Sequence, residues 1–189
     1  MPPTSPTRPN IKDNILSTIK GIEVIGNWNM VKNEDLYYNP KSKIPSGVAM
    51  RHRKNKKSES YYIKIPTNDG TSITKREEYE YKNISSVDEF LDLATSLFES
   101  KKFEIEEKLM VEEGVKINTT RVKTLISMQG SVIELSCDFS EYEYKGKKEK
   151  GNMLECELKE GDDLSLWYLT KHLEKFGFIE TNESKQKRA

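Results

Sequence analysis

Two histidines, His52 and His172, and two cysteines, Cys137 and Cys156, are all that 189 residues offer of the side chains most used in nucleophilic, redox and transition-metal chemistry. Neither histidine has a partner at ligand spacing, which gives no basis for a zinc centre or a Ser-His-Asp arrangement. The cysteines form neither a CxxC pair nor a disulfide framework, and both fall on the apolar side of predicted strands, where they read as small buried hydrophobes. The ten glycines make no phosphate-cradling loop. No stretch approaches the roughly 20 apolar residues of a membrane-spanning helix, and the opening MPPTSPTRPN has no hydrophobic h-region. The expectation is a reduced, cytoplasmic protein with no membrane partner, a monomer or homodimer. Net charge is missing too. Lys plus Arg and Asp plus Glu number 31 each, so no global field draws in nucleic acid or membrane, and electrostatic specificity must come from local segregation.

Charge itself is abundant. Charged residues make up 33% of the chain and apolar ones 34%, a wet composition for a globular protein, which fits a polar interior or polar ends. Residues 1–9, with Pro2, Pro3, Pro6 and Pro9, and the tail over 181–189 are expected to be disordered, leaving one domain over 10–180. Helical spacing appears three times: Ile11, Ile15 and Ile19 before Gly21; an apolar stripe through Phe90, Leu91, Ala94 and Phe98 behind the capping box Ser86-Val-Asp-Glu89; and a segment from about Asp162 to Gly177. The rest reads as strand, over 22–30, 35–38, 48–53, 61–66, 74–81, 103–111, 119–128, 131–139 and 152–159. Turn residues at Asn68-Asp69-Gly70, Glu113-Gly114, Gln129-Gly130 and Lys145-Gly146 make the sheet mostly antiparallel.

Many of these strands carry charge on one side. MLECELKE, residues 153–160, sets Leu154, Cys156 and Leu158 against Glu155, Glu157 and Lys159. Arg51 and Arg53 alternate with Met50 and His52; Lys64 lies between Ile63 and Ile65; Arg76, Glu78 and Glu80 share a face. Arg121 and Lys123 flank Val122, and Glu134 and Asp138 oppose Ile133, Leu135 and Cys137. One such strand needs no more explanation than a sheet with a wet face. Together they also fit a sheet closed on itself with helices packed outside, its lumen lined by basic groups and carboxylates. Such a lumen suits a polyanion held with a divalent cation. The basic run Arg51-His-Arg-Lys-Asn-Lys-Lys57 reads as a strand end and an exposed loop, or as an RNA contact beside Tyr61 and Tyr62.

The order of these segments resembles the CYTH family, the triphosphate tunnel metalloenzymes. Asp35-Leu-Tyr-Tyr-Asn-Pro40 is similar to that family's YYDTP segment, and Gly47-Val-Ala-Met-Arg-His-Arg53 to its GxxLRxR strand. Tyr62-Ile-Lys-Ile-Pro66 and Arg76-Glu-Glu-Tyr-Glu80 resemble the next two strands. Arg121-Val-Lys123, Ile133-Glu-Leu-Ser-Cys-Asp138 and Leu154-Glu-Cys-Glu-Leu-Lys159 follow in family order, so that the likeness spans roughly 21–176. The resemblance implies an α+β fold, an antiparallel β-barrel or tunnel of about eight strands with helices outside. It implies hydrolysis of inorganic triphosphate, a nucleoside triphosphate or an RNA 5′-triphosphate end. Arg51, Arg53, Lys64, Arg76, Arg121, Lys123 and Lys159 would bind phosphate. Glu155 and Glu157 would be catalytic and, with Glu134 and Asp138, would hold Mg²⁺ or Mn²⁺. The family's opening ExExK strand is absent, since Gly21-Ile-Glu-Val-Ile-Gly26 has one acid; the same letters recur at Glu104, Glu106 and Lys108. The sequence leaves open whether that segment completes the tunnel or forms an ordinary hairpin. It also leaves open a catalytically inactive module that binds a triphosphate or another polyanion without turnover.

Overall fold

The computed structural model describes residues 16–67, 75–105 and 108–181. The expected proline-rich head, most of the first helical spacing and the turn at 68–70 lie outside them, as does all but Thr181 of the expected tail. The described chain is α+β: eight strands in the order β5-β4-β3-β2-β6-β7-β8, with β1 also on β6, and two α-helices. It divides into two compact units. Three long strands, β6 (Val111–Met128), β7 (Ser131–Tyr144) and β8 (Lys147–Glu160), contribute one part to each.

The larger unit runs over Met30–Arg121 and Asp138–Asn152. It contains β2 (Asn29–Pro40, from its second residue), β3 (Ala49–Asn55), β4 (Glu59–Thr67), β5 (Lys75–Lys82) and α1 (Val87–Ser100). These four strands pair antiparallel in sequence order. Asn55 closes the β3–β4 hairpin by accepting from the backbone N–H of Lys57 and Ser58 at 2.8 and 3.0 Å, an Asx-type turn. The basic run is therefore a strand end and a tight loop. Helix α1 starts where the sequence places it: Ser86 Oγ accepts from Glu89 N at 3.1 Å. Its Phe90, Leu91, Ala94 and Phe98 pack on Tyr38, Met50, Tyr61, Ile63 and Ile65. Phe90 sits among three tyrosine rings, nearest to Tyr61 at 4.7 Å between centroids. Because facing residues of paired strands share a side, this one buried face sends the alternate residues of all four strands to the other.

The smaller unit holds the chain through Asn29, Val122–Cys137 and Met153–Thr181. A 3-10 turn at Leu16–Thr18 is followed by β1 (Ile22–Val24), which pairs with the end of β6. Helix α2 (Asp163–Glu174) is capped by Asp162, whose carboxylate accepts from Leu164 N at 2.8 Å. Leu16, Ile19, Ile126, Met128, Ile133, Leu135, Leu169 and Leu173 form the core, and Leu154, Cys156 and Leu158 pack against it.

Four expectations are corrected. The strand expected over 22–30 is interrupted after Val24, and the one expected over 35–38 belongs to the much longer β2. The turn expected at Glu113-Gly114 lies inside β6. A Cβ at Gly114 would stand 2.9 Å from the Tyr37 carbonyl oxygen, so glycine here permits close strand approach. The strand expected over 103–111 does not form; apart from Val111, which opens β6, its described residues are an irregular connection. Phe103, Ile105 and Leu109 turn into the α1 core, and burial of these side chains takes precedence over their alternation.

Candidate functional site

The register of the larger unit assembles one charged face. Asp35 lies opposite Arg53, Tyr37 opposite Arg51, and Arg51 opposite Tyr62. Tyr62 in turn faces Glu80, Lys64 faces Glu78, and Pro66 faces Arg76. Arg121 and Asp138 join as a cross-strand pair. The two-residue turn Gln129-Gly130, with φ of 50° and 79°, makes Met128 and Ser131 partners. Residues 121 and 138 each lie seven positions from that pair.

The cations of this face are paired with carboxylates. Arg53 donates to both oxygens of Asp35 at 2.7 and 2.8 Å, and Arg121 to both oxygens of Asp138 at 2.7 Å. Both aspartate side chains are fully buried. Burial opposes the charge on Arg53, but its hydrogen bonds to Asp35 outweigh that, and the guanidinium is held above its ordinary pKa despite the nearby charge of Arg121. Lys64 donates to Glu78 at 2.9 Å. Arg51 lies over the Tyr62 ring, 4.6 Å from its centroid, with the nearest Asp35 and Glu78 oxygens at 3.7 and 3.6 Å. Tyr62 donates to Glu80 at 2.7 Å; burial first, then that carboxylate, pushes its phenol up. Arg76 is exposed on the same strand as Glu78.

The face is not charged throughout. Tyr37, Val115, Ile117 and Tyr142 are buried together, with Ala49 and Tyr144 packed on them. Thr119 and Ser140 share a buried hydroxyl contact of 2.9 Å.

In the smaller unit, Lys123 donates to Glu134 and Lys159 to Glu157, both at 2.7 Å. Glu155 is half-buried and Glu157 exposed on the side of β8 opposite Leu154, Cys156 and Leu158. The fit to a divalent metal can be tested on these donors. Among the described residues, no three Asp, Glu, His or Cys side chains converge as a metal site. Asp138, Glu134 and Glu157 are each turned onto a cation. A carboxylate that already holds a cation does not fit Mg²⁺ or Mn²⁺, which take several oxygens at once. Glu104 and Lys108 are exposed on the irregular connection, and Glu106 lies outside the described residues.

Sequence reading missed Asp35 and Tyr62 as members of this face. The hairpin register was the signal available for the Arg121–Asp138 pair. For Asp35 and Arg53 the separation of β2 and β3 by a longer loop removed that guide. His52, opposite Tyr61, stacks on it at 4.4 Å, and its Nε2 lies 2.8 Å from a Glu59 carboxylate oxygen.

No family model matches the chain, and no curated protein matches it. Solved structures similar to it include a conserved hypothetical protein from Pyrococcus furiosus, at 16% identity and a TM-score of 0.38 over 84% of this chain and 79% of that one. The PH1819 protein of Pyrococcus horikoshii gives 18% and 0.42 over 87% and 84%. The PH1012 protein of the same organism gives 16% and 0.38 over 82% and 79%. These values assign neither a family nor an activity.

Proposed function

We propose that the chain is a CYTH-like module that binds a triphosphate, or another polyanion such as a phosphorylated small molecule or a nucleic-acid 5′ end, without metal-dependent turnover. The observation that carries this reading is the gathering of Arg51, Arg53, Lys64 and Arg121 on one face of the larger unit, flanked by Tyr37 and Tyr62. Guanidinium forks and an ammonium are the side chains that match phosphate oxygens. Seven segments in CYTH order support the same ligand class. Turnover by the family's chemistry requires carboxylates free to hold a metal and orient water, whereas Asp138, Glu134 and Glu157 are committed to cations.

The test is thermal unfolding with tripolyphosphate, paired with a phosphate-release assay in Mg²⁺ and Mn²⁺. A ligand bound only by the folded state stabilises it by about 2.7 kcal/mol at a hundred times its Kd. The melting temperature is expected to rise with tripolyphosphate, with no phosphate released. An unchanged melting temperature would remove the binding reading. Metal-dependent release abolished by Glu155→Gln or Glu157→Gln would establish hydrolysis instead.

A further inference from the structure

We infer that Glu78 is an intramolecular stand-in for a ligand phosphate, holding Arg51 and Lys64 in the free protein and yielding them to the polyanion. This rests on the binding reading above and says which cations of the face exchange partners. Those cations are held in two different ways. Arg53 and Arg121 are each locked by two short hydrogen bonds to a fully buried aspartate. Pulling either away leaves a buried carboxylate uncompensated, which is strongly unfavourable. They frame the site.

Arg51 has no such fork. Its side chain is only 6% exposed, yet its Nε has no hydrogen-bond partner. The carboxylate oxygens nearest to it stand beyond hydrogen-bond reach, at 3.6 and 3.7 Å. The guanidinium is buried, with a hydrogen bond to the Tyr37 phenol but its Nε donor left unsatisfied, and a native structure seldom tolerates a buried unsatisfied donor without a reason. Glu78 presents one carboxylate oxygen to Arg51 and the other, at 2.9 Å, to Lys64. It therefore occupies the bridge between two cations that a phosphate group would take. Glu78 is 42% exposed, so its carboxylate turns to water at little cost, unlike Asp35 and Asp138. A phosphate brings more charge and a third oxygen, enough to reach Lys64 and complete the Arg51 guanidinium together. The stand-in keeps two neighbouring cations from repelling each other while the site is empty, and it competes with every ligand that enters.

Calorimetric titration of the full chain with tripolyphosphate at fixed ionic strength tests this. Glu78→Gln keeps the shape and removes the charge, and is expected to bind about three- to tenfold more tightly than the natural protein. Glu78→Ala should shift affinity in the same direction. Glu77→Gln, on the opposite face of the same strand, should match the natural protein. Binding by the natural protein with equal or weaker binding by both Glu78 variants overturns the stand-in role and leaves the binding reading intact. Absence of binding by the natural protein and both variants removes the two together. Binding seen only in the Glu78 variants supports the stand-in in its strongest form.

Discussion

Asp35 is buried between two guanidiniums, accepting both bonds of Arg53 and lying 3.7 Å from Arg51. Asp35→Asn removes the charge and turns one acceptor oxygen into an N–H donor facing Arg53. Breaking a buried pair from one side costs about 3–5 kcal/mol, and urea unfolding of this variant should show a loss of that order. A loss below about 1 kcal/mol would mean that the pair behaves as an ordinary surface bridge. The residue types of this face were legible in the sequence: alternation placed Arg51, Arg53, Lys64, Glu78, Arg121 and Asp138 away from the apolar side, as the strand registers and cores place them. Their pairing was not. Which carboxylate answers which cation depends on strand neighbours brought together from 17 and 18 residues apart, and alternation within one strand carries no information about its neighbours.

At the level of elements, the turn that launches α2 is tightly constrained. Gly161, at φ +104°, follows β8, and a Cβ on it would come within 2.7 Å of Ser131 Cα. Ser131 is buried, accepts from Asp162 N at 3.0 Å and meets Ser165 Oγ at 2.9 Å. Gly161→Ala should therefore destabilise the protein by more than the roughly 1 kcal/mol of an ordinary glycine replacement, because both backbone strain and a backbone clash oppose it. Comparison of its urea midpoint with that of Gly177→Ala, which also has positive φ but meets nothing within 4 Å, separates the clash from the strain. Helix starts were readable because a capping box and an acidic pair are local signals, confirmed at Ser86 and Asp162. The 103–111 segment was not, since Phe103-Glu-Ile-Glu has the alternation of a strand and only the core that receives Phe103, Ile105 and Leu109 decides otherwise.

For the molecule as a whole, the groups raised by burial foresee its response to alkali. Burial pushes the Cys156 thiol up to about 12 and raises the phenols of Tyr37, Tyr38, Tyr61, Tyr62 and Tyr81. The unfolded chain would release these protons first, near pH 8.5 for cysteine and about 10 for tyrosine. Their contribution to stability is thus complete below those values and is lost as pH climbs towards the folded ones. The urea midpoint should hold steady between about pH 7 and 8.5 and fall progressively above about 9. A midpoint that stays level to pH 11 would contradict this.

The sequence by itself determined the α+β composition, the two capped helices, the hairpin turns at Gln129-Gly130 and Lys145-Gly146, and the segregation of charge to one side of each strand. These follow from interactions between residues near each other in the chain. Only the tertiary structure decided that β2 and β6 run long, that the described residues between Phe103 and Met110 form no strand, that an apolar cluster around Tyr37 shares the charged face, and that Arg53 and Arg121 are locked while Arg51 is not. Each of those outcomes depends on contacts between distant segments, where burial and charge compensation outweigh local preference.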